Sequence, residues 1–289
     1  SHFIIGAVSL NQTPLAWDQN TKNIIDAIEL AKKQAVKLLC FPELSITGYG
    51  CEDLFLSDWL YETAWTELEK IIDYTDNIAI IVGLPILFNG KRYNCACVIE
   101  NKKILGFYAK NHLANEGVHY ETRWFTSWNF EKEDSLEDEY PIGKPIYNIQ
   151  GHKIGIEICE DAWRKERPAD NYGQVDFIFN PSASHFAFEK TKIRQDIVQQ
   201  SSINYNCTYV YANLLGNEAG RMVYDGEILI AKKGDFYQQN TRFSYQNINL
   251  ITHNFTESSP IELNDFSKNE EFPKAVGLAL FDYLRKSWS

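Results

Sequence analysis

At 289 residues, 44 % of them hydrophobic, the chain is long enough to bury a full core in one large domain. A net charge of −11 argues against nucleic acid and against an anionic membrane surface as partners. No apolar run reaches the length of a membrane span, no signal-peptide pattern is present, and the six cysteines form no Cys-x-x-Cys pair; these features argue against a metal site and for free thiols in a reducing, cytoplasmic setting.

Strand-like and helix-like segments alternate early in the chain. Phe3–Leu10 predicts a strand. Thr21–Val36 predicts an amphipathic helix, with Ile24, Ile25, Ile28, Ala31 and Ala35 on its apolar side. Leu38–Phe41 predicts a short buried strand, Asp53–Tyr74 a helix and Ile78–Leu84 a strand. Arg92–Glu100 and Lys103–Tyr108 predict paired strands around Asn101-Lys102. Beyond a charged loop, Glu131–Glu139, a hairpin of Ile146–Ile149 and Lys153–Cys159 is expected about Gln150-Gly151. Val175–Asn180 predicts a strand, Glu189–Tyr205 a helix and Cys207–Asn213 a strand, with further strands over Gly226–Lys232 and Arg242–Leu250. Polar Thr256–Asn269 predicts an exposed linker, and Glu270–Ser289 predicts a final helix. β–α units mixed with hairpins imply an α/β layered fold.

Three ionisable residues stand at the ends of apolar segments: Glu43 after Leu38–Pro42, Lys110 after Ile104–Ala109, and Cys159 after Ile154–Ile158. Cys159 is the most informative, because the pattern predicts a strand that delivers it into a tight turn followed by helix-starting residues. Backbone N–H groups of such a turn favour thiolate and can hold an oxyanion. Glu160 and Asp161 are expected to cap that helix and to pair with Arg164 or Arg167. His112, His119 and His185 read as structural.

The segments Phe41-Pro-Glu43-Leu, Lys110-Asn-His-Leu113 and Cys159-Glu-Asp-Ala-Trp163 resemble the Glu, Lys and Cys triad of the nitrilase, or carbon–nitrogen hydrolase, superfamily. Phe41–Phe55, Asn115–Phe125, Asn180–His185 and Tyr211–Gly226 further resemble the glutaminase domain of glutamine-dependent NAD+ synthetases. The resemblance spans residues 3 to 289, and its most specific part is Thr47-Gly-Tyr49…Glu52-Asp53-Leu54. It implies an α-β-β-α four-layer sandwich that hydrolyses L-glutamine. It implies Cys159 as nucleophile, Glu43 as general base, and Lys110 with the Glu160 backbone N–H as oxyanion donors. It also implies substrate-binding roles for Tyr49, as an aromatic pocket wall, and for Glu121, Trp163, Ser184 and Lys190. Glu121 could bind the substrate amide or hold Lys110. Lys190 offers a point charge where an arginine would offer a fork.

The Ser-Gly-Gly-x-Asp-Ser type loop that a synthetase needs for pyrophosphate does not occur in these 289 residues. The resemblance therefore implies a glutaminase body over residues 1–255. Residues 256–289 would be a linker and helix leading toward a synthetase domain, the place where ATP and Mg are expected; the glutaminase chemistry itself needs no cofactor or metal. It also implies a homo-oligomer. A stand-alone amidase for another small amide and a catalytically silent scaffold remain as alternatives.

Overall fold

The computed structural model describes residues 2–115, 120–218 and 222–288. Two sheets lie face to face. The first has eight strands, β1 (Ile5–Leu10), β2 (Leu38–Cys40), β3 (Ala79–Phe88), β4 (Lys91–Glu100), β5 (Lys103–Ala109), β6 (Asp134–Leu136), β7 (Tyr140–Ile142) and β16 (Ile248–His253), in the order β16-β1-β2-β3-β4-β5-β7-β6. The second has six, β8 (Ile146–Ile149), β9 (His152–Ile156), β10 (Phe177–Ser182), β11 (Thr208–Asn213), β14 (Ile228–Lys232) and β15 (Asp235–Gln239), in the order β15-β14-β11-β10-β9-β8. A separate hairpin joins β12 (Leu215–Glu218) to β13 (Met222–Asp225). β1, β2 and β3 run parallel, as do β9, β10 and β11, so each sheet has a parallel centre; the flanking pairs are antiparallel except β5 with β7.

Strand alternation builds the layers. One face of the first sheet, with Val8, Leu10, Leu39, Ile80 and Val82, packs on α1 (Trp17–Lys33) and α2 (Asp58–Ile72) through Ile24, Ala27, Ile28 and Leu68. The opposite face, with Ile5, Ala7, Leu38, Ile81 and Val98, meets Ile154, Ile156, Phe179, Val210 and Ile230 of the second sheet. The outer face of that sheet is covered by α4 (Lys190–Asn204). The result is the expected α-β-β-α sandwich. All six cysteines are free and buried. Among the described residues no helix is long and apolar enough to cross a membrane.

Some elements depart from the sequence reading. The helix expected over Asp53–Tyr74 is a 3₁₀ turn, Glu52–Leu56, followed by α2; Ser57 is extended between them, and Asp53 turns out to pair with Arg123 at 2.7 Å. The charged loop contains β6, and β7 follows it. The strand expected from Arg242 starts only at Ile248, because Phe243 is left-handed (φ 62°) and Arg242 turns inward to Glu271 at 2.6 Å. β12, β13 and β15 were not anticipated. Thr256–Asn269 is mostly exposed, yet it is pinned by a bridge between Ile261 and Phe236 and by Asp265, which accepts from Gln195 and Gln239. The last helix, α5 (Lys268–Ser287), packs on β12 and β13 through Leu278 and Ala275. Buried Asp282 joins it to the Asn11 side chain and the Asn217 N–H, both at 2.8 Å.

Gly83 lets the loop after β2 lie against β3. A Cβ there would sit 2.4 Å from the Leu44 nitrogen, where only backbone could yield. Gly83→Ala is expected to cost roughly 2–3 kcal/mol, the scale of an overpacked core, and to lower the Tm by about 3–5 °C in a chain of this length. A thermal melt matching wild type would show that the loop moves freely.

Candidate active site

Four chain segments converge where the parallel strands of both sheets end. β2 delivers Glu43 and is turned at once by left-handed Leu44 (φ 51°). The Glu43 N–H donates to the Ser182 carbonyl of β10 at 3.3 Å, tying one sheet to the other. β5 delivers Lys110, and a short helix, α3 (Glu121–Trp124), supplies Glu121. β9 leads to Cys159, which is itself left-handed (φ 39°) at the start of a 3₁₀ turn, Cys159–Trp163. A non-glycine residue there costs roughly 1–3 kcal/mol. The surroundings hold it in place: the Cys159 N–H donates to Asn180 Oδ1 at 3.1 Å, and Asn180 is fixed in turn by Ser182 and Tyr209.

Lys110 is the centre of the charge arrangement. Its Nζ lies 2.9 Å from Glu43 Oε1 and 2.8 Å from Glu121 Oε1, and all three side chains are buried. Tyr49 donates its hydroxyl to Glu121 Oε2 at 2.8 Å, and the Ala114 N–H donates to the same oxygen at 3.2 Å. Burial pushes Glu43 up to about 8, against the pull of Lys110 and with the help of the Glu121 charge. Burial alone would pull Lys110 down, but the two carboxylates hold its proton and its pKa is raised well above the usual range. Burial, aided by Glu43, pushes the Cys159 thiol up to about 12. The expected stabilisation of a thiolate is therefore not found: the five-residue turn is no helix, and desolvation outweighs the pull of the Lys110 charge.

Cys159 is nonetheless distinguished from the other thiols. It is 7 % exposed, whereas Cys40, Cys95 and Cys97 are fully buried in the layers. It lines a cavity of about 480 Å³ together with Ala114, Glu121, Trp163, Ser184, His185 and Lys190. Lys190 Nζ lies 5.9 Å from the centre of the Trp163 ring, and burial lowers its pKa. The Ser184 hydroxyl is buried with no partner among the described residues. Thus Glu43, Lys110, Glu121, Cys159, Glu160, Trp163, Ser184 and Lys190 are brought together. Tyr49 is not on the cavity wall; it stands behind Glu121 and orients it. Glu160 pairs with Arg164 at 3.0 Å as expected. Asp161 pairs with neither arginine, and Arg167 binds Glu157 instead at 2.6 Å. His112 contacts the Glu166 carbonyl at 2.6 Å, His185 lines the cavity, and His119 lies outside the described residues. Sequence reasoning missed Asn180, whose signal is its place at a strand end in Asn180–His185. Among the described residues no group of three or more His, Cys, Asp or Glu is arranged to hold a metal ion.

Burial favours the protonated Glu43 carboxyl, and the ionised form is the one that can take a thiol proton. Glu121→Gln removes the charge that helps raise it and leaves Lys110 to Glu43 alone, so Glu43 should ionise at lower pH. Infrared difference spectra against Glu43→Gln can follow the protonated carboxyl band. A titration unmoved by Glu121→Gln would mean the two carboxylates do not share Lys110.

Known proteins carry the same arrangement of layers. Residues 4–256 match the Carbon-nitrogen hydrolase family. A glutamine-dependent NAD(+) synthetase of Oryza sativa subsp. indica is 32 % identical over 263 residues, covering 86 % of this chain and 36 % of the relative. The Homo sapiens counterpart is 31 % identical over 264 residues, covering 86 % and 37 %. The chain thus spans little more than a third of these relatives. The crystal structure of a glutamine-dependent NAD(+) synthetase from Cytophaga hutchinsonii superposes with a TM-score of 0.91 at 49 % identity, covering 100 % of this chain and 48 % of that one. A nitrilase-superfamily amidase from Nesterenkonia AN1 shares the fold, with a TM-score of 0.71 at 20 % identity over 88 % of this chain and 90 % of its own. With its sandwich and the match over residues 4–256, the chain belongs to the carbon–nitrogen hydrolase family.

Proposed function

We propose that this chain is the glutamine-hydrolysing part of a glutamine-dependent NAD+ synthetase. The observation that carries the chemistry is the buried ammonium of Lys110, held between Glu43 and Glu121, with Cys159 and Glu121 lining the same cavity. Cys159 attacks the side-chain amide carbon of L-glutamine while its proton passes to Glu43. The carbonyl electron pair moves onto oxygen, where Lys110 and the Glu160 backbone N–H meet it; the Cys159 N–H is already committed to Asn180. The C–N bond then breaks, and Glu43 returns the proton to the departing ammonia. A water deprotonated by Glu43 attacks the thioester, glutamate is released, and Glu43 returns that proton to the departing Cys159 sulfur. Lys110 supplies the positive charge, so the cycle calls for no metal. Glu121, oriented by Tyr49, keeps Lys110 in place. Lys190, Ser184 and Trp163 face the α-carboxylate and α-ammonium of the substrate.

The ammonia is used, in this reading, by a synthetase domain of the same polypeptide, which would hold ATP and Mg and amidate a deamido dinucleotide. Two features support it. The named relatives are far longer than this chain. Along α5, Phe272, Val276, Leu280, Leu284 and Trp288 form an exposed apolar stripe at steps of four residues, a face that suits further protein. Residues 1–255 then form the catalytic body and 256–289 its link onward, and a homo-oligomer is the natural assembly. The six free thiols fit a reducing cytoplasm.

The purified chain should release glutamate from glutamine. Cys159→Ala should abolish this, and Glu43→Gln should cut kcat by at least ~100-fold. Lys190→Ala should chiefly raise KM, as for a group that grips ground and transition state alike. Turnover of other small amides at the expense of glutamine would favour the stand-alone amidase instead.

Given ammonia, ATP and the deamido dinucleotide, the same 289 residues should make no NAD+, since they contain no glycine loop to cradle pyrophosphate. Formation of NAD+ by the purified chain would sink the division of labour described here.

A further inference from the structure

Asp161 takes no part in the reaction above and does not line the cavity, yet its carboxylate joins two catalytic loops from different sheets. Its Oδ1 accepts from the backbone N–H groups of Asn111 at 3.1 Å and His112 at 2.7 Å. Its Oδ2 accepts from the Ile158 N–H at 3.0 Å and from the Tyr108 hydroxyl. Asn111 and His112 directly follow Lys110, and Ile158 directly precedes Cys159. The side chain is fully buried. Other links between these loops lie further out: Arg164 donates to the Leu113 carbonyl at 3.1 Å, and His112 meets the Glu166 carbonyl.

We propose that Asp161 is a positioning residue that sets the distance and angle between the Cys159 thiol and the Lys110 ammonium. This rests on the roles given to those two residues under the proposed function. A carboxylate is the one side chain of this size with four acceptor sites and no donor, and here four donors converge on it. Asparagine would keep the shape but turn N–H groups toward N–H groups, and the loops would shift apart. Displacement of a reacting group by about 1 Å costs on the order of 100-fold in rate. The Asp161 effect should therefore fall on steps that use Cys159 and Lys110 together, not on the thiol alone.

The test uses the whole chain, Asp161→Asn and two thiol reagents, each followed by mass spectrometry of the Cys159 peptide. With chloroacetamide, sulfur bonds to the CH2 carbon, chloride leaves with the bonding pair and Glu43 takes the thiol proton; the reagent carries an amide oxygen that the proposal assigns to Lys110. With methyl methanethiosulfonate the Cys159 sulfur bonds to the methylthio sulfur, methanesulfinate leaves with the bonding pair and Glu43 again takes the thiol proton, with no carbonyl for Lys110 to hold. Asp161→Asn should slow chloroacetamide by ~10–100-fold and the thiosulfonate by less than ~3-fold. Glutamine kcat should fall by a similar factor with KM little changed. An unchanged ratio of the two reagent rates overturns the proposal, whether both stay constant, fall together or rise together as an opened site would make them. If Asp161→Asn does not fold, Tyr108→Phe removes one donor and keeps the carboxylate. It should lower the chloroacetamide rate selectively by ~3–10-fold, and an equal effect on both reagents overturns the proposal. Because neither reagent is glutamine, a wild-type chain inactive on glutamine would count against the proposed function while leaving this test intact.

Discussion

One ammonium placed between two carboxylates out of reach of water is the interaction on which this structure turns. A buried lysine is tolerable only if its charge is met on every side, and Lys110 is met by Glu43 and Glu121. Two negative charges against one positive leave an excess that the dry site opposes. The excess is relieved by keeping a proton on Glu43 up to about pH 8. That places a proton acceptor near the pH at which it can both gain and lose a proton readily, the condition for a general base.

The sandwich makes this arrangement possible because both sheets end at the same level. The parallel strand β2 of one sheet and the parallel strands β9 and β10 of the other stop side by side. At each ending a left-handed residue, Leu44 or Cys159, turns the chain sharply so that the side chain beside the turn faces inward. Close approach of the Glu43 loop to β3 requires glycine at position 83. The strain and crowding are local, and the layers behind them are ordinary alternating strands against amphipathic helices.

That contrast explains what could be read from the sequence. Glu43, Lys110 and Cys159 were legible because each interrupts an apolar run at its end, and the layer order followed from strand alternation and the apolar side of α1. Asp161 caps its turn as expected, through the Ile158 N–H, but pairs with neither arginine, since its other three donors come from residues some fifty positions away, two of them as backbone N–H groups with no sequence signature. Tyr49 was expected on the pocket wall from the resemblance of its Thr-Gly-Tyr motif; in the structure its hydroxyl donates to Glu121 behind the cavity. α4 buries Thr191, Arg194, Gln195, Ser201 and Ser202, a polar face that a hydrophobic pattern cannot reveal. Arg242 was assigned to a strand for the same reason: its partner lies in α5.

Those last two arginines bear on how α5 belongs to the molecule. Arg194 contacts Asp225 at 2.7 Å and Glu227 at 3.1 Å, while Arg242 lies 3.6 Å from Asp225 and 2.6 Å from Glu271 on α5. Asp225 also accepts from Asn213, which bonds the backbone of Ser184 at the cavity. Here again the negative charges outnumber the positive, and burial keeps the proton on Glu227 up to about 7 while Asp225, facing both arginines, is held below the usual carboxylate range. Removing either arginine would leave buried carboxylates unmatched, so the two cations hold the cluster together. α5 is therefore anchored at Glu271 by a buried ion pair and at Asp282 by buried hydrogen bonds, while its apolar stripe faces outward. Whatever covers that stripe rests on a helix bonded into the network that supports the cavity wall.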